Sequence, residues 1–131
     1  MRKDLSILFL RVGISAIFLY FGIWALQDPI GQATVWLDPQ MAGLITMLMP
    51  VKTFMLLLGV AQVAVALSCM LGIYARYGSA LGALLLLGII VNLGFNDIAL
   101  RDFAIFTGHI FVVINGGGRY VLVDSKFKIQ D

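Results

Sequence analysis

Arg101-Asp102-Phe103-Ala104-Ile105-Phe106-Thr107-Gly108-His109-Ile110-Phe111-Val112-Val113-Ile114-Asn115-Gly116-Gly117-Gly118-Arg119-Tyr120 contains a complete apolar helix with both of its ends. A charged pair opens it, a glycine triplet closes it, and the single histidine of the chain, His109, stands near its middle. Read as a membrane span over Phe103–Gly118, it places an ionisable side chain about half-way through hydrocarbon. Such a group is costly at that depth and asks for a partner or a function.

The rest of the chain has the same character. Hydrophobic residues make up 61% and charged residues only 12%, against roughly 25% charged in ordinary soluble domains, and the mean hydropathy is +1.01. Too little polar surface remains to cover a soluble globule, so residues 1–131 read as one all-α integral membrane domain. Four stretches approach the roughly 20 residues that cross a hydrocarbon core of about 30 Å: Leu5–Leu26, Thr53–Tyr74, Tyr77–Phe95 and Phe103–Gly118. Arg2-Lys3 resembles the start of a signal peptide. The apolar run behind it exceeds the roughly 7–15 residues of a signal core, and no small-x-small cleavage pattern precedes Gln27, so it reads as a retained helix.

Basic residues orient these spans. With the N-terminus in the cytoplasm, the inner side holds Arg2, Lys3, Arg76, Arg119, Lys126 and Lys128, and the outer side holds Lys52 and Arg101. This is a positive-inside bias, and it accounts for most of the net charge of +2 without a nucleic-acid partner. Tyr74-Ala75-Arg76-Tyr77 and Asn96 to Arg101 are short connections, which make neighbouring helices antiparallel. The expected architecture is a four-transmembrane-helix antiparallel bundle with both termini inside, in the cytoplasmic membrane of a prokaryote. Gly78 and Gly82, four apart on the third helix, allow close helix approach. In the long outer connection, Asp38-Pro39 has the form of an N-cap followed by proline at the first helical position. A short interfacial helix is therefore expected over residues 39–49, with Trp36 at the water–lipid boundary before it.

Several chemistries are excluded. Cys69 is the only cysteine, so the chain has no internal disulfide and no C-x-x-C redox pair. One histidine, one cysteine and no glutamate cannot build a bis-histidine haem site or a carboxylate-rich metal site within one chain. Gly116-Gly117-Gly118-Arg119 follows a membrane helix and precedes none, so it reads as a helix terminus rather than a phosphate cradle. Asp102 is placed to stabilise the positive end of the last helix.

The remaining polar residues in the spans are the candidate ligand contacts. Arg11, about 9 Å below the inner end of the first helix, either snorkels to the inner phosphates or supplies a positive charge within the bundle. Ser15, Phe18 and Gly22 share its face. Gln62 lies mid-way along the second helix and serves either as interhelical glue or as a ligand contact. Tyr20, Asn92 and His109 fall at similar depths, about 6–10 Å below the outer ends of their helices, and form a candidate outer layer. A neutral imidazole beside a tyrosine and an amide can donate to or accept from a quinone carbonyl, relay a proton, or simply join two helices. Asn115 is placed to meet Arg11 or Ser15 in the inner half.

The chain resembles the DoxX family of small four-helix membrane proteins over nearly its whole length. The likeness rests on Leu10-Arg11-Val12-Gly13 with Phe18-Leu19-Tyr20-Phe21-Gly22, on Leu48-Met49-Pro50, on Leu71-Gly72-Ile73-Tyr74-Ala75-Arg76, on Arg101-Asp102 and on Gly117-Gly118-Arg119-Tyr120. Gln62 stands where that family often has a glutamate, and Val63-Ala64-Val65 replaces the paired glycines that follow it. A mechanism that needs a proton-exchanging acid at mid-membrane has no group here to carry it. The resemblance implies a role around respiratory or redox chemistry, as in subunits of thiosulfate:quinone oxidoreductase or membrane partners of thiol- and superoxide-handling enzymes. The expected function is an accessory membrane subunit, either a homo-oligomer or the anchor of a redox partner, with quinone as candidate ligand and no covalent cofactor. Tyr20, Asn92 and His109 would contact the ring carbonyls and Arg11 would orient a polar group on the inner side. A non-redox scaffold or a small-solute permease is the alternative, although a permease usually shows repeats and broken helices.

Overall fold

A computed structural model of the chain describes residues 1–123. Lys126 and Lys128, counted above in the inner charge, lie outside the described residues. Among the described residues six helices follow one another: α1 Arg2–Gln27, α2 Pro29–Trp36, α3 Pro39–Leu48, α4 Val51–Leu71, α5 Ala75–Leu93 and α6 Asp97–Asn115. Three of them, α1, α4 and α5, are long and apolar enough to cross a membrane.

The four long helices form a ring in which α1 packs on α4, α4 on α5, α5 on α6 and α6 back on α1. Facing residues show that α1 and α4 run antiparallel, since Gly22 meets Gln62 and Val63 while Ala25 meets Gly59 nearer the start of α4. α5 and α6 are antiparallel as well: Gly82 meets His109, and Gly116 approaches Arg76 at the start of α5. Ile14, Phe18, Val65, Ala66, Cys69, Leu86, Ile105 and Val112 fill the centre. The two glycines of α5 serve different neighbours, because Gly78 faces Ser68 of α4 whereas Gly82 faces the imidazole on α6.

Helix ends depart from the sequence expectation where capping chemistry intervenes. α4 stops at Leu71 because Gly72 takes a left-handed conformation, with φ +71, as glycine does without steric cost at helix C-termini. α6 starts at Asp97, six positions before Phe103, because Asn96 Oδ1 accepts from the Ala99 amide at 2.8 Å and caps it. Asp97 is then the acidic residue of the first turn, and Asp102 lies in the second.

The long connection between α1 and α4 carries two helices. α3 begins as expected, with Pro39 in its first turn and Asp38 Oδ1 accepting from the Met41 amide at 2.6 Å. α2 was not expected, yet it uses the same device: Pro29 follows Asp28, whose Oδ1 accepts from the Gly31 amide at 3.0 Å. α2 packs on both α1 and α4 and closes one end of the ring.

The other end is closed by the segment after α6. The amides of Leu122 and Val123 donate to the carbonyls of Leu71 and Gly72, each at 3.3 Å, and the Tyr74 amide donates to the Val123 carbonyl at 3.2 Å. Residues 117–123 thus lie across the turn between α4 and α5.

Candidate functional site

A cavity of about 100 Å³ lies at the α2 end of the ring, between α1, α2, α4, α5 and α6. Its wall is mainly apolar, and its polar lining residues are Gln32, Trp36, Gln62, Asn92, Arg101 and Asp102. Each reaches it for a local reason. Gln32 and Trp36 are one turn apart on α2, hence on one face. Gln62 is central on α4 where Gly22 lets α1 come close, and Asn92 is in the last turn of α5.

Phe21 of α1 organises this end of the molecule. Its carbonyl oxygen accepts from Gln32 Nε2 at 3.0 Å, and its ring meets the edge of Trp36 at a centroid distance of 5.8 Å. The guanidinium of Arg101 lies over the same ring at 5.9 Å, a cation–π contact. Arg101 also donates from Nε and Nη2 to Asp102 Oδ1, at 3.0 and 2.9 Å. Asp102 is 5% exposed, so its carboxylate is held at the cavity by a neighbouring cation.

Four of the polar lining residues leave a buried atom without a hydrogen-bond partner in the protein: Gln32 Oε1, Trp36 Nε1, Gln62 Oε1 and Asn92 Oδ1. A buried polar atom left unpaired costs about 1–3 kcal/mol, and such atoms are few in folded proteins. Four around one apolar cavity make a site able to take a small molecule that combines a hydrophobic body with polar substituents.

The residues singled out in the sequence are separated by the structure. Gln62 and Asn92 line the cavity. Tyr20 is 66% exposed and meets Phe21 edge-on and Trp24 at a tilt on the outside of α1. Two positions on a helix differ by about 200°, so Tyr20 points away while Phe18 points inward. His109 is fully buried, but it lies behind Phe18, whose ring both lines the cavity and meets the imidazole edge-on at 4.9 Å. Neither imidazole nitrogen has a hydrogen-bond partner, and the Ser15 hydroxyl likewise has none. The expected layer of Tyr20, Asn92 and His109 is therefore not assembled.

Arg11 is also fully buried, which excludes snorkelling. Its Nε donates to the Cys69 carbonyl at 2.7 Å, its Nη1 to those of Gly117 and Tyr120 at 2.7 Å, and its Nη2 to that of Met70 at 3.3 Å. Four bonds from a group with five N–H donors bind the guanidinium to the chain's own backbone. Asn115 does not meet it, because Nδ2 turns back to the Phe111 carbonyl at 3.0 Å.

The sequence does not mark Gln32, Arg101 or Asp102 as lining residues, and it gives Trp36 only the place of an interface anchor. Asp28-Pro29 repeats the pattern of Asp38-Pro39 and was the signal for α2. Nothing local in the sequence announced Asp102, since its place at the cavity depends on how early Asn96 starts α6. Comparison of the chain with protein-family models, with curated proteins and with solved structures finds no match.

Proposed function

We propose that the chain is a four-span subunit of a prokaryotic cytoplasmic membrane, with both termini inside, that binds the ring of a quinone-class molecule in the outer cavity. The observation that carries this reading is the set of four unpaired buried polar atoms around one apolar cavity. A lipid-soluble ring with oxygen substituents matches that combination, since the ring fills apolar space and its oxygens meet the amides and the indole. The volume, about 100 Å³, is of the order of an engineered cavity of about 150 Å³ that takes up benzene. α6, with 19 residues, is about 28 Å long at 1.5 Å per residue and long enough to be the fourth span.

The DoxX-like pattern supports placing the protein beside a redox enzyme, and no residue at the cavity is a convincing nucleophile. The role is that of an accessory subunit, as a homo-oligomer or with a redox partner. Purification from native-like membranes followed by extraction should recover a quinone-class compound in near-stoichiometric amount, and Gln62→Leu should retain markedly less of it. A ligand-free preparation that also fails to take up added quinone or quinol would refute the reading.

A further inference from the structure

We infer that the cavity selects a ring bearing a free hydroxyl, and so prefers the reduced hydroquinone over the oxidised quinone. This rests on the quinone-class reading above and specifies which form of the ligand is held.

The argument turns on two groups whose hydrogen-bonding sense is not free to change. The Gln32 amide is oriented by its Nε2, which donates to the Phe21 carbonyl at 3.0 Å. Its Oε1 is therefore the end left buried and unpaired, and it can only accept. Gln32 is 3% exposed, so solvent does not serve that atom. The second group, the Trp36 indole N–H, is buried without a partner and can only donate. These residues lie four apart on α2, about 6 Å along the helix axis, and both line the cavity.

Asp102 lines the same wall, but its Oδ1 already accepts twice from Arg101, so it makes no comparable demand. Gln62 and Asn92 are adaptable, because either amide can turn to present its oxygen or its nitrogen. The fixed demand on a ligand is thus for a hydrogen-bond donor at Gln32 and for an acceptor at Trp36.

A quinone carries two carbonyl oxygens and no donor. It can satisfy Trp36 and, after reorientation, the amides, but it leaves Gln32 Oε1 unpaired. A hydroquinone hydroxyl donates to Gln32 Oε1, while a hydroxyl oxygen still accepts from Trp36. Rejection of an analogue that lacks the group a site is built to bond can be large, because the site's own buried polar atoms are then stranded.

The test uses the full chain in lipid nanodiscs under anaerobic conditions, with partition into empty nanodiscs subtracted. Three probes of one ring size are compared by equilibrium binding: a short-chain benzoquinone, its hydroquinone and the dimethyl ether of that hydroquinone. The hydroquinone should bind at least tenfold more tightly than either of the others. Gln32→Met, which removes the fixed acceptor, should narrow the preference to under threefold. Trp36→Phe, which removes the fixed donor and leaves the Gln32 bond to Phe21 in place, should preserve or widen it. Equal or tighter binding of the quinone overturns the preference and leaves the cavity reading intact. Saturable binding of none of the three overturns both.

Discussion

The guanidinium of Arg11 donates to the carbonyl oxygen of Gly117 at 2.7 Å, joining residues 106 positions apart in the chain. With its bonds to Cys69, Met70 and Tyr120, this contact ties α1 to the end of α4 and to the segment that follows α6. An arginine inside an apolar bundle is tolerable because helix C-termini leave carbonyls without intrahelical partners. Arg11 is a fixed internal cap for two of them.

That geometry predicts the outcome of a conservative replacement. Lysine has three donors on one atom and lacks the planar fork, so Arg11→Lys leaves at least one of four carbonyls unpaired. The cost should be about 1–3 kcal/mol for each, and Arg11→Ala should cost more. Reversible unfolding in detergent micelles measures it, and an Arg11→Lys protein as stable as the parent would contradict the clamp.

His109 should behave in the opposite way. Both of its nitrogens lack partners while the ring is fully buried, so His109→Leu removes two unpaired polar atoms at similar volume. Stability should hold or rise by about 1 kcal/mol, and affinity at the cavity should stay within twofold because Phe18 stands between. A marked loss of either would show that the imidazole has a bonding role of its own.

Gly82→Ala probes the same contact from α5. A Cβ there would stand 2.5 Å from His109 Cε1, and overpacking of this kind costs about 1–3 kcal/mol. Combined with His109→Ala, the loss should be smaller than the sum of the two single changes, as expected for neighbours that share space. Strict additivity in thermal unfolding would mean that the two side chains do not compete.

Binding at the cavity should separate the lining residues from the others. Gln62→Leu and Asn92→Leu each strip one polar group from the wall, and each should weaken ligand binding about tenfold, the equivalent of about 1.4 kcal/mol. Tyr20→Phe should leave it unchanged, because that side chain faces outward. Equilibrium binding in nanodiscs ranks the three, and a Tyr20 effect equal to that of Gln62 would move the site to the outside of α1.

Fusions report on the orientation proposed from the basic residues. Green fluorescent protein attached at either terminus should fluoresce in bacterial cells, and alkaline phosphatase inserted after Asp38 should be active. Inactive phosphatase in that loop would invert the topology.

Much of the helical framework was legible because long apolar runs, short polar turns and Asp-Pro caps are local signals. α1, α4, α5 and α3 lie close to where those signals put them. α6 starts earlier than its apolar run, since a cap such as Asn96 acts through one hydrogen bond that hydropathy does not register. Membership of the site was less legible. Depth along a helix is a matter of counting, but facing direction depends on which neighbour packs where, and so Tyr20 and Asn92 part company at similar depth.

By itself the chain of residues determined that this protein is helical and suited to a membrane, because apolar length and the scarcity of charge are sums over local composition. Only the tertiary structure decided where the polar groups go. It turned Arg11 onto four carbonyls, set His109 behind Phe18, and brought Gln32, Trp36, Gln62, Asn92 and Asp102 around one cavity. The physical reason is that a hydrogen bond depends on distance and direction between atoms far apart in sequence, and those are set when the helices pack.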